Sequence, residues 1–377
     1  MKHKLEFVDG ILGEIKEENL YRNLRYGHVS KSHIIIGAKK LVNLCSNDYL
    51  GLDVKKIQTS QTQSSSRLVS GNDIAFKKLE EKLAGHKSQE ASLVFPTGYM
   101  ANLGVISALV GKKDLILSDE LNHASIIDAC KLTGARVQVY KHNDADDLAK
   151  KIKAHGKARK FLVTEGIFSM DGDFARLKEM TEIAEKNGAV MILDDAHGDF
   201  AVGDDGRGTA SLFGVEKKID AYVSSLSKAL GSFGGYVAAQ DSVVDLCTNR
   251  SKSFIYTSAL PTFLVKMSLE RINQDRKTRQ EELRKNTSML SSGLKEIGYD
   301  IKSPTHIIPI IIGNEKKTLE FGRYIFDNGV FAQPIRYPTV PKNSARIRVS
   351  VTAWISKKQI EYTLSVFEKA GRKFKIF

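Results

Sequence analysis

Apolar residues follow two periodicities along the middle of this chain, and together they predict its main elements. Between residues 91 and 237, short continuous apolar runs alternate with segments in which apolar residues recur every three or four positions. Continuous runs are typical of strands buried on both faces, and the wider spacing is typical of amphipathic helices. The predicted strands are Ser92–Phe95, Leu115–Leu117, Val137–Tyr140, Phe161–Thr164, Val190–Leu193 and Ile219–Val223. The pattern therefore favours an α/β fold with a mostly parallel sheet.

The regions on either side of this alternating part carry patterns of their own. Residues 1–30 predict a charged, amphipathic helix that ends near Gly27 and precedes a short β pair. Beyond Pro261, a long charged helix is predicted from Leu264 to about Ile297, and a small α/β region follows it. We therefore expect an N-terminal arm (residues 1–45), a large domain (residues 46–262), and a linking helix with a smaller C-terminal α/β domain (residues 263–377).

The charge balance narrows the range of partners. Lys and Arg outnumber Asp and Glu by 57 to 44, a formal net charge of +13, which favours anionic partners such as phosphate-bearing substrates or carrier proteins. The basic residues are scattered and form no aromatic-basic module, so no nucleic-acid partner is expected. No apolar run has the length of a membrane span, and the N-terminus lacks the apolar core of a secretion signal, so no membrane association is expected.

Cysteine usage indicates the compartment. Cys45, Cys130 and Cys247 stand far apart and match neither a metal-binding nor a redox spacing. Such usage suits a reducing environment without disulfides. We therefore expect a cytoplasmic protein.

One lysine is the centre of the candidate chemistry. Lys228 follows the predicted strand Ile219–Val223 and three serines, and it precedes the glycine-rich stretch Gly231–Gly235. Open α/β sheets bind ligands at the carboxyl ends of their strands. A desolvated lysine at this edge loses proton affinity and becomes a nucleophilic amine suited to forming a Schiff base with a carbonyl compound. A solvated lysine at a strand end is the alternative, and this stretch alone does not exclude it.

Other polar groups are predicted at the same edge of the sheet. Asp194 ends an apolar strand, where a buried carboxylate needs a cation or a donor, and His197 follows three residues later. Gly98 begins a predicted helix, and the free N–H groups of a helix N-terminus suit a phosphate. His123 opens another helix, where its ring is placed to stack on a planar ligand. A Schiff-base lysine, a carboxylate, an imidazole and a phosphate anchor are what pyridoxal 5′-phosphate (PLP) requires.

A metal site formed by Asp194, Asp195, His197 and Asp199 is the alternative for the same stretch. These residues lack a closed ligand set of recognised spacing, so PLP is the preferred prediction and no metal is expected. Nearer the N-terminus, the Ser/Thr/Gln-rich stretch of residues 58–73 is expected to form an active-site loop.

Seven motifs of this sequence are, in combination, specific to one known family. They are Ser46-Asn47-Asp48-Tyr49-Leu50-Gly51-Leu52, Thr97-Gly98-Tyr99-Met100-Ala101-Asn102, Asn122-His123-Ala124-Ser125, Thr164–Asp173, Asp194-Asp195-Ala196-His197-Gly198, Ser227-Lys228-Ala229-Leu230-Gly231 and Arg346-Ile347-Arg348. Over nearly its full length the chain resembles the α-oxoamine synthases, which are PLP-dependent transferases of fold type I. The resemblance implies a large PLP-binding domain, a smaller C-terminal α/β domain, and a homodimer with its active site at the subunit interface.

The resemblance also implies a role for each matching residue. Four are implied to be catalytic: Lys228, which forms the internal aldimine; Asp194, which pairs with the pyridinium nitrogen; His197, which pairs with the ring hydroxyl; and His123, which stacks on the ring. The other cofactor contacts are implied for Gly98, Tyr99 and Ser225 at the phosphate, for Ser169 near the ring, and for Thr257 and Ser258 at the phosphate of the partner subunit. Implied substrate contacts are Arg348, whose planar guanidinium suits an amino-acid carboxylate, and Arg22, Asn47 and Thr339.

The implied reaction is the decarboxylative condensation of L-alanine with a pimeloyl thioester, carried by CoA or by a carrier protein, in biotin synthesis. The stretch Asp194–Gly198 is more similar to the alanine-using members of the family than to the glycine-using ones. A glycine C-acetyltransferase remains an alternative, as does another α-oxoamine synthase. An aminotransferase or lyase on the same fold and a non-catalytic PLP-binding or metal-binding protein are further alternatives. The acyl chain length and the identity of the thioester carrier stay open.

Overall fold

A computed structural model describes residues 5–53, 64–154 and 158–377. Residues 58–63 of the predicted active-site loop therefore lie outside the described residues. The contacts between Cα atoms divide the chain into two units. The larger unit comprises Asn47–Ser169 and Asp173–Glu281, and the smaller unit comprises Met1–Ser46, Met170–Gly172 and Glu282–Phe377.

The described helices and strands are numbered in chain order. The helices are α1 (Glu6–Glu17), α2 (Ile74–Lys87), α3 (Gly98–Leu109), α4 (Ala124–Thr133), α5 (Ala145–Lys153), α6 (Leu177–Lys186), α7 (Thr209–Phe213), α8 (Asp241–Arg250), α9 (Lys252–Ile255), α10 (Thr262–Ile272), α11 (Lys277–Glu296), α12 (Glu315–Asp327) and α13 (Lys357–Lys373). The strands are β1 (His28–Ser30), β2 (His33–Ile36), β3 (Lys39–Asn43), β4 (Ala91–Phe95), β5 (Leu115–Asp119), β6 (Arg136–Tyr140), β7 (Lys160–Glu165), β8 (Ala189–Asp194), β9 (Ala221–Ser225), β10 (Gly235–Ala239), β11 (Ile307–Gly313), β12 (Val330–Phe331), β13 (Gln333–Ile335) and β14 (Ala345–Ser350).

A seven-stranded sheet forms the centre of the larger unit. Its strand order is β4-β10-β9-β8-β7-β5-β6. Pairing is parallel from β9 through β8, β7 and β5 to β6, and only β10 is antiparallel to its two neighbours. The sheet is therefore mostly parallel, as the apolar runs predict. The carboxyl ends of β8 and β9 lie side by side, since Asp194 pairs in register with Val223.

Apolar side chains from the central strands and from α3 and α4 form the core on one face of this sheet. Ile116, Val163 and Ile192 come from three adjacent strands, and Val105 and Ile126 come from the two helices. All five side chains are fully buried. Since each of these strands contributes residues to buried positions on both faces, its sequence is a nearly continuous apolar run. The core fixes the strands whose carboxyl ends carry the site.

The smaller unit joins the two ends of the chain through β pairing. β12, near the C-terminus, pairs in parallel with β3, so that Val330 lies opposite Val42. A second sheet has the order β11-β14-β13 and is antiparallel. At the start of α13, Ser356 and Gln359 exchange the two hydrogen bonds of a capping box. The N-terminal segment thus belongs to the same unit as the C-terminal one.

Three features differ from the elements that the sequence predicts. The N-terminal helix ends at Glu17 rather than near Gly27, because Asn19 has a left-handed backbone (φ 58°) that a helix cannot continue through. The long helix predicted from Leu264 to Ile297 is two helices, α10 and α11. Strand β10 was not predicted, because glycines precede it.

None of the described helices combines the length and the apolar character that crossing a membrane requires. The predicted division into residues 1–45, 46–262 and 263–377 stays a prediction.

Candidate active site

Lys228 and His197 meet at the carboxyl edge of the large sheet. Lys228 lies three residues beyond the end of β9, and His197 lies three residues beyond the end of β8. The Lys228 Nζ atom is 2.9 Å from the His197 Nε2 atom. Because neighbouring parallel strands present their carboxyl ends together, two residues 31 positions apart in sequence become hydrogen-bonded partners.

Tyr49 contacts the other nitrogen of the same imidazole. Its buried hydroxyl lies 2.6 Å from His197 Nδ1 and donates to the Oδ1 atom of Asn47 at 3.2 Å. A hydroxyl that donates its one hydrogen to Asn47 accepts a hydrogen from His197 Nδ1, which leaves Nε2 as the acceptor that faces Lys228. Tyr49 therefore fixes the ring orientation and tautomer of His197.

Asp194 is the last residue of β8. Its buried carboxylate accepts hydrogen bonds from one side chain and from the main chain. Its Oδ2 atom accepts from Asn102 Nδ2 at 2.6 Å, and its Oδ1 atom accepts from the main-chain N–H of Ala196 at 3.0 Å. Asn102 also donates to Ser125 Oγ at 2.9 Å, and Ser125 Oγ lies 2.7 Å from His123 Nδ1. A continuous hydrogen-bond chain therefore links the carboxylate of Asp194 to the imidazole of His123.

His123 combines a structural task with a position at the site. Its Nδ1 atom accepts from the Ser125 N–H at 3.3 Å and caps α4. Burial lowers the pKa of His123, and the positive charge of Lys228 lowers it further, although Asp194 acts in the opposite direction. His123 is nonetheless exposed in the described chain, so a neutral imidazole with a fixed orientation is available for stacking on a planar ring.

The first turn of α3 forms a cradle with almost no room for side chains. A Cβ atom placed on Gly98 would lie 3.1 Å from Ser225 Cβ, and one on Gly235 would lie 2.5 Å from the Cα of Gly98. Thr97 caps the helix by accepting from the N–H of Met100 at 3.1 Å. The glycines let the backbones of α3 and the end of β9 approach closely, beside a helix N-terminus that suits an anion.

Tyr99 and Ser169 lie next to residues of this cluster. The Tyr99 hydroxyl donates to the carboxylate of Asp128, and its ring meets the ring of His123 edge to face at 6.2 Å. The buried Ser169 donates its main-chain N–H to Glu165 Oε2 at 3.3 Å. Both residues therefore lie among polar groups of the larger unit, and their predicted contacts with the cofactor stay predictions.

Thr257 and Ser258 lie elsewhere in the larger unit. With Arg67, Phe76 and Phe254, among others, they line a small cavity. Arg67 is held there by Glu80, with its Nη1 atom 2.5 Å from Glu80 Oε1. The predicted contact of Thr257 and Ser258 with a partner subunit's phosphate stays a prediction.

Three of the four predicted substrate-binding residues belong to the smaller unit. Arg348, in β14, is buried and donates from Nη1 to Ser350 Oγ at 2.7 Å. Arg22 and Thr339 are exposed. The fourth, Asn47, belongs to the larger unit and accepts from Tyr49. The roles of these four residues toward substrate stay predictions.

A buried ion cluster supports the loop that carries Asp194 and His197. Lys87 Nζ lies 3.2 Å from Asp195 Oδ2 and 2.7 Å from Asp199 Oδ1. His86 Nε2 lies 3.0 Å from the same Asp199 oxygen. Asp199 Oδ2 accepts from two further buried hydroxyls, Ser224 at 2.7 Å and Tyr236 at 2.5 Å. Asp199 thus ties the loop to α2, β9 and β10.

The positive charge of Lys87 lowers the pKa values of both carboxyl groups in this cluster, Asp195 and Asp199. Burial alone would raise the pKa of Asp199, but Lys87 and a hydrogen bond with His86 bring it below the usual range. Burial raises the pKa of Asp195 to about 6, with Lys87 opposing and Asp199 reinforcing the rise. Asp195 and Asp199 therefore bind Lys87, rather than forming the metal site weighed as an alternative. In residues 5–53, 64–154 and 158–377, no group of three or more His, Cys, Asp and Glu side chains is arranged to hold a metal ion.

The residues present fit PLP. Glycine at positions 98 and 235, where a Cβ atom would meet neighbouring protein atoms at 3.1 and 2.5 Å, lets the N-terminus of α3 pack closely against the sheet and offer its main-chain N–H groups to a phosphate. The Oδ1 atom of Asn102 is buried beside the Asp194 carboxylate and has no hydrogen-bond partner among the described residues, as is expected at a ligand site. Lys228 supplies the amine for a Schiff base, and Asp194 supplies the negative charge for a ring nitrogen.

Sequence reasoning missed several residues of the site. Tyr49, Asn102, Ser125 and Glu165 all lie inside motifs quoted above, so the signal was present without an assigned role. Lys87 carries no such signal, because its partners are more than a hundred positions away in sequence.

Comparison with known proteins identifies the class. Residues 39–367 match the family described as aminotransferase class I and II, and the chain belongs to this family. This membership confirms the predicted fold class and the predicted cofactor, PLP.

Curated relatives identify the particular branch. An 8-amino-7-oxononanoate synthase from Thermoanaerobacter pseudethanolicus is 43% identical over 392 residues, covering 99% of this chain and 99% of the relative. Another, from Citrifermentans bemidjiense, is 38% identical over 378 residues, covering 96% of this chain and 97% of the relative. These matches confirm the α-oxoamine synthase resemblance and the enzyme class, a PLP-dependent acyltransferase.

Solved structures share the fold of this chain. Serine palmitoyltransferase from Sphingomonas wittichii superposes with a TM-score of 0.93 at 28% identity, covering 100% of both chains. A variant serine palmitoyltransferase from S. paucimobilis, which carries a bound PLP-myriocin aldimine, has a TM-score of 0.92 at 27% identity.

Proposed function

We propose that this chain condenses L-alanine with a pimeloyl thioester to give 8-amino-7-oxononanoate, carbon dioxide and a free thiol, in biotin biosynthesis. The observation that carries the proposal is the 2.9 Å contact between Lys228 Nζ and His197 Nε2 beside the Asp194 carboxylate. This site lies in a chain that is 43% identical over nearly its whole length to an enzyme named for that product.

Lys228 is proposed to hold PLP covalently through Nζ. Asp194 would bind the ring nitrogen, His197 the ring hydroxyl, and His123 one face of the ring. The cradle of Gly98, Tyr99 and Ser225 would hold the phosphate. When bound, PLP withdraws electrons from the α-carbon of the amino acid, which stabilises negative charge there.

Asn102 and the Ala196 N–H would orient the Asp194 carboxylate toward the ring nitrogen. Lys228, once its amine is free, is the base that removes the α-proton of the amino acid. His197 Nε2 is placed to accept a proton from Lys228 Nζ, since the Nδ1 side of its ring is committed to Tyr49. The chain thus supplies an ordered path for one proton between Lys228 and His197.

We propose further roles that await direct tests. Arg348 would bind the amino-acid carboxylate, and Arg22, Asn47 and Thr339 would contact substrate. Thr257 and Ser258 would reach the phosphate of the partner subunit in a homodimer. The net charge of +13 favours an anionic acyl donor, either pimeloyl-CoA or a pimeloyl carrier protein. A cytoplasmic location is consistent with three cysteines that are not in disulfides.

The first test is a visible absorbance titration of the PLP-loaded protein with L-alanine, glycine and L-serine, followed by pimeloyl-CoA and palmitoyl-CoA. The expected result is a spectral response to L-alanine and release of thiol with pimeloyl-CoA. Product is then identified by mass spectrometry. Lys228→Ala should make no product, and a Lys228→Ala protein that did would overturn the proposed chemistry.

A second candidate is a different α-oxoamine synthase reaction. It is favoured by the structural likeness to serine palmitoyltransferase at a TM-score of 0.93. Thiol release with L-serine and palmitoyl-CoA but not with L-alanine and pimeloyl-CoA would establish that alternative. A response to glycine alone, with a short acyl-CoA, would instead indicate a glycine C-acetyltransferase.

A further inference from the structure

A second carboxyl group lies beside Asp194 and has no part in the roles described so far. Glu165 is the last residue of β7, and it pairs in register with Asp194, the last residue of the parallel strand β8. Glu165 is 3% exposed and Asp194 is 7% exposed. Two acidic side chains therefore end adjacent strands in a site from which water is largely excluded.

The Glu165 side chain interacts with the main chain of two residues of the cofactor site. Its Oε2 atom accepts the N–H of Ser169 at 3.3 Å, and the main-chain N–H of His123 also stabilises the charged form of the carboxyl, which lowers its pKa. Its own N–H donates to Asn122 Oδ1 at 3.2 Å, directly before His123. One side chain thus links the start of α4, which carries His123, to the loop that carries Ser169.

The surroundings of the other carboxyl oxygen of Glu165 are those expected for an uncharged acid. Oε1 is buried and has no hydrogen-bond partner among the described residues. An ionised carboxylate in that position would leave charge unsolvated, which is costly. Burial, reinforced by the charge of Asp194, raises the pKa of Glu165 well above its usual range, although Lys228 acts in the opposite direction.

The two carboxyl groups differ in their surroundings. Asp194 receives Asn102 Nδ2 at 2.6 Å and the Ala196 N–H at 3.0 Å, one donor to each oxygen. Glu165 accepts the main-chain N–H of Ser169 on one oxygen, and its other oxygen receives no donor among the described residues. When two close carboxyls share one site, the less solvated one takes up the proton.

We propose that Glu165 is a neutral carboxylic acid at physiological pH and acts as a positioning residue, holding His123 and Ser169 so that Asp194 is the sole carboxylate facing the cofactor. The proposal rests on the same PLP site as the proposed function. It predicts that charge at position 165 is dispensable, whereas the hydrogen-bond acceptor there is needed.

The test compares Glu165→Gln, Glu165→Ala and Asp194→Asn in the full-length chain. Gln keeps the shape and the acceptor oxygen of a neutral acid, Ala removes the acceptor, and Asp194→Asn neutralises the adjacent carboxylate. The readouts are the dissociation constant for PLP, the midpoint of the pH titration of the visible band of the PLP-loaded protein, and the melting temperature of the protein without PLP. None of these readouts requires turnover.

We expect Glu165→Gln to stay within about threefold of the unmodified protein in PLP affinity, with an unchanged pH midpoint, and Glu165→Ala to bind PLP about tenfold more weakly, because buried N–H groups lose their acceptor. Asp194→Asn should weaken PLP binding and shift the midpoint. An infrared difference spectrum should show the C=O stretch of a protonated acid that is missing in Glu165→Gln.

Two results would overturn the inference. If Glu165→Gln behaves like Asp194→Asn, an ionised carboxylate is required at position 165. If Glu165→Ala folds and matches the unmodified protein in PLP affinity and pH midpoint, Glu165 positions nothing. Should Glu165→Ala fail to fold, Glu165→Gln and the infrared band still decide the protonation state. Normal PLP binding without product from L-alanine and pimeloyl-CoA would overturn the proposed function but not this inference.

Discussion

Lys87 and Asp199 form an ion pair of 2.7 Å between side chains that are 1% and 0% exposed. The pair lies beneath the loop on which Asp194 and His197 face the site. Burying two charges is costly unless both are paired and hydrogen-bonded, and this cluster meets that condition through Asp195, His86, Ser224 and Tyr236. We therefore regard it as the support that fixes the geometry of the loop.

Replacing Lys87 by Met should destabilise the protein strongly. The change leaves Asp195 and Asp199 buried without their cation, which costs about 3–5 kcal/mol. The loss should be smaller at pH 5 than at pH 8, because protonation relieves unpaired carboxylates. Urea denaturation at both pH values measures it.

The matched control for this prediction is Lys151→Met. The Lys151–Asp147 pair has the same 2.7 Å length but is partly exposed, and it joins positions four apart in one helix. Its loss should cost about 0.5 kcal/mol or less. Equal destabilisation by the two variants would show that the buried cluster carries no special weight.

His142 should stabilise the protein in a pH-dependent way. Burial alone would lower its pKa, but hydrogen bonds with Asp119 and Asp173, at 2.9 Å each, raise it to about 10. Because the folded-state pKa exceeds that of an unfolded histidine, the stabilisation is fully present below about pH 6.5 and is lost as the pH rises toward 10.

We therefore expect His142→Gln to lose about 1–3 kcal/mol at pH 6 and much less at pH 10. Urea midpoints at the two pH values measure the difference. The exposed His28→Gln serves as the control and should change neither midpoint. A loss that is equal at pH 6 and pH 10 would mean that the charge on His142 contributes nothing.

Tyr49→Phe should impair turnover more than substrate binding. The change removes the 2.6 Å contact with His197 Nδ1, so the imidazole is no longer fixed in the tautomer that faces Lys228. We expect kcat to fall about tenfold with little change in KM for the amino acid. Steady-state kinetics measure both parameters.

Tyr222→Phe is the control, because this buried hydroxyl bonds to the main-chain oxygen of Glu216 at 3.1 Å rather than to a site residue. It should leave kcat unchanged while lowering the melting temperature slightly. If both variants reduce kcat equally, the Tyr49–His197 bond has no specific role.

Gly235→Ala should weaken the affinity for PLP more than Gly98→Ala does. The added Cβ would lie 2.5 Å from the backbone of Gly98 in the first case and 3.1 Å from the side chain of Ser225 in the second. A contact of 2.5 Å with backbone forces α3 and β10 apart, whereas a contact of 3.1 Å with the Cβ atom of Ser225 is relieved by a shift of a few tenths of an ångström. The dissociation constant for PLP measures the effect.

Gly85→Ala is the control for this pair. It lies within α2, where an added Cβ would meet nothing within 4 Å, so it should stabilise the helix by about 0.5–1 kcal/mol. Unchanged PLP affinity in Gly235→Ala would show that the cradle is wider than its backbone spacing indicates.

The sequence predicted the alternating part of the fold well. The apolar runs placed the six strands β4 to β9 within two residues at each end. It did so because strands buried on both faces must be apolar along their whole length. The position of β10 between β4 and β9 could not be predicted, since antiparallel insertion depends on which edge is left open after the parallel strands have paired.

The local sequence by itself determined which side chains are candidates for the chemistry. Lys228, Asp194, His197 and His123 follow strands or open helices, and the chemistry of each side chain is readable from its type. The tertiary structure alone decided which distant groups support them: Tyr49 on His197, and Lys87 beneath Asp195 and Asp199. The physical reason is that a buried charge or imidazole takes its partner from whatever lies adjacent in space, and folding brings together residues that sequence spacing does not relate.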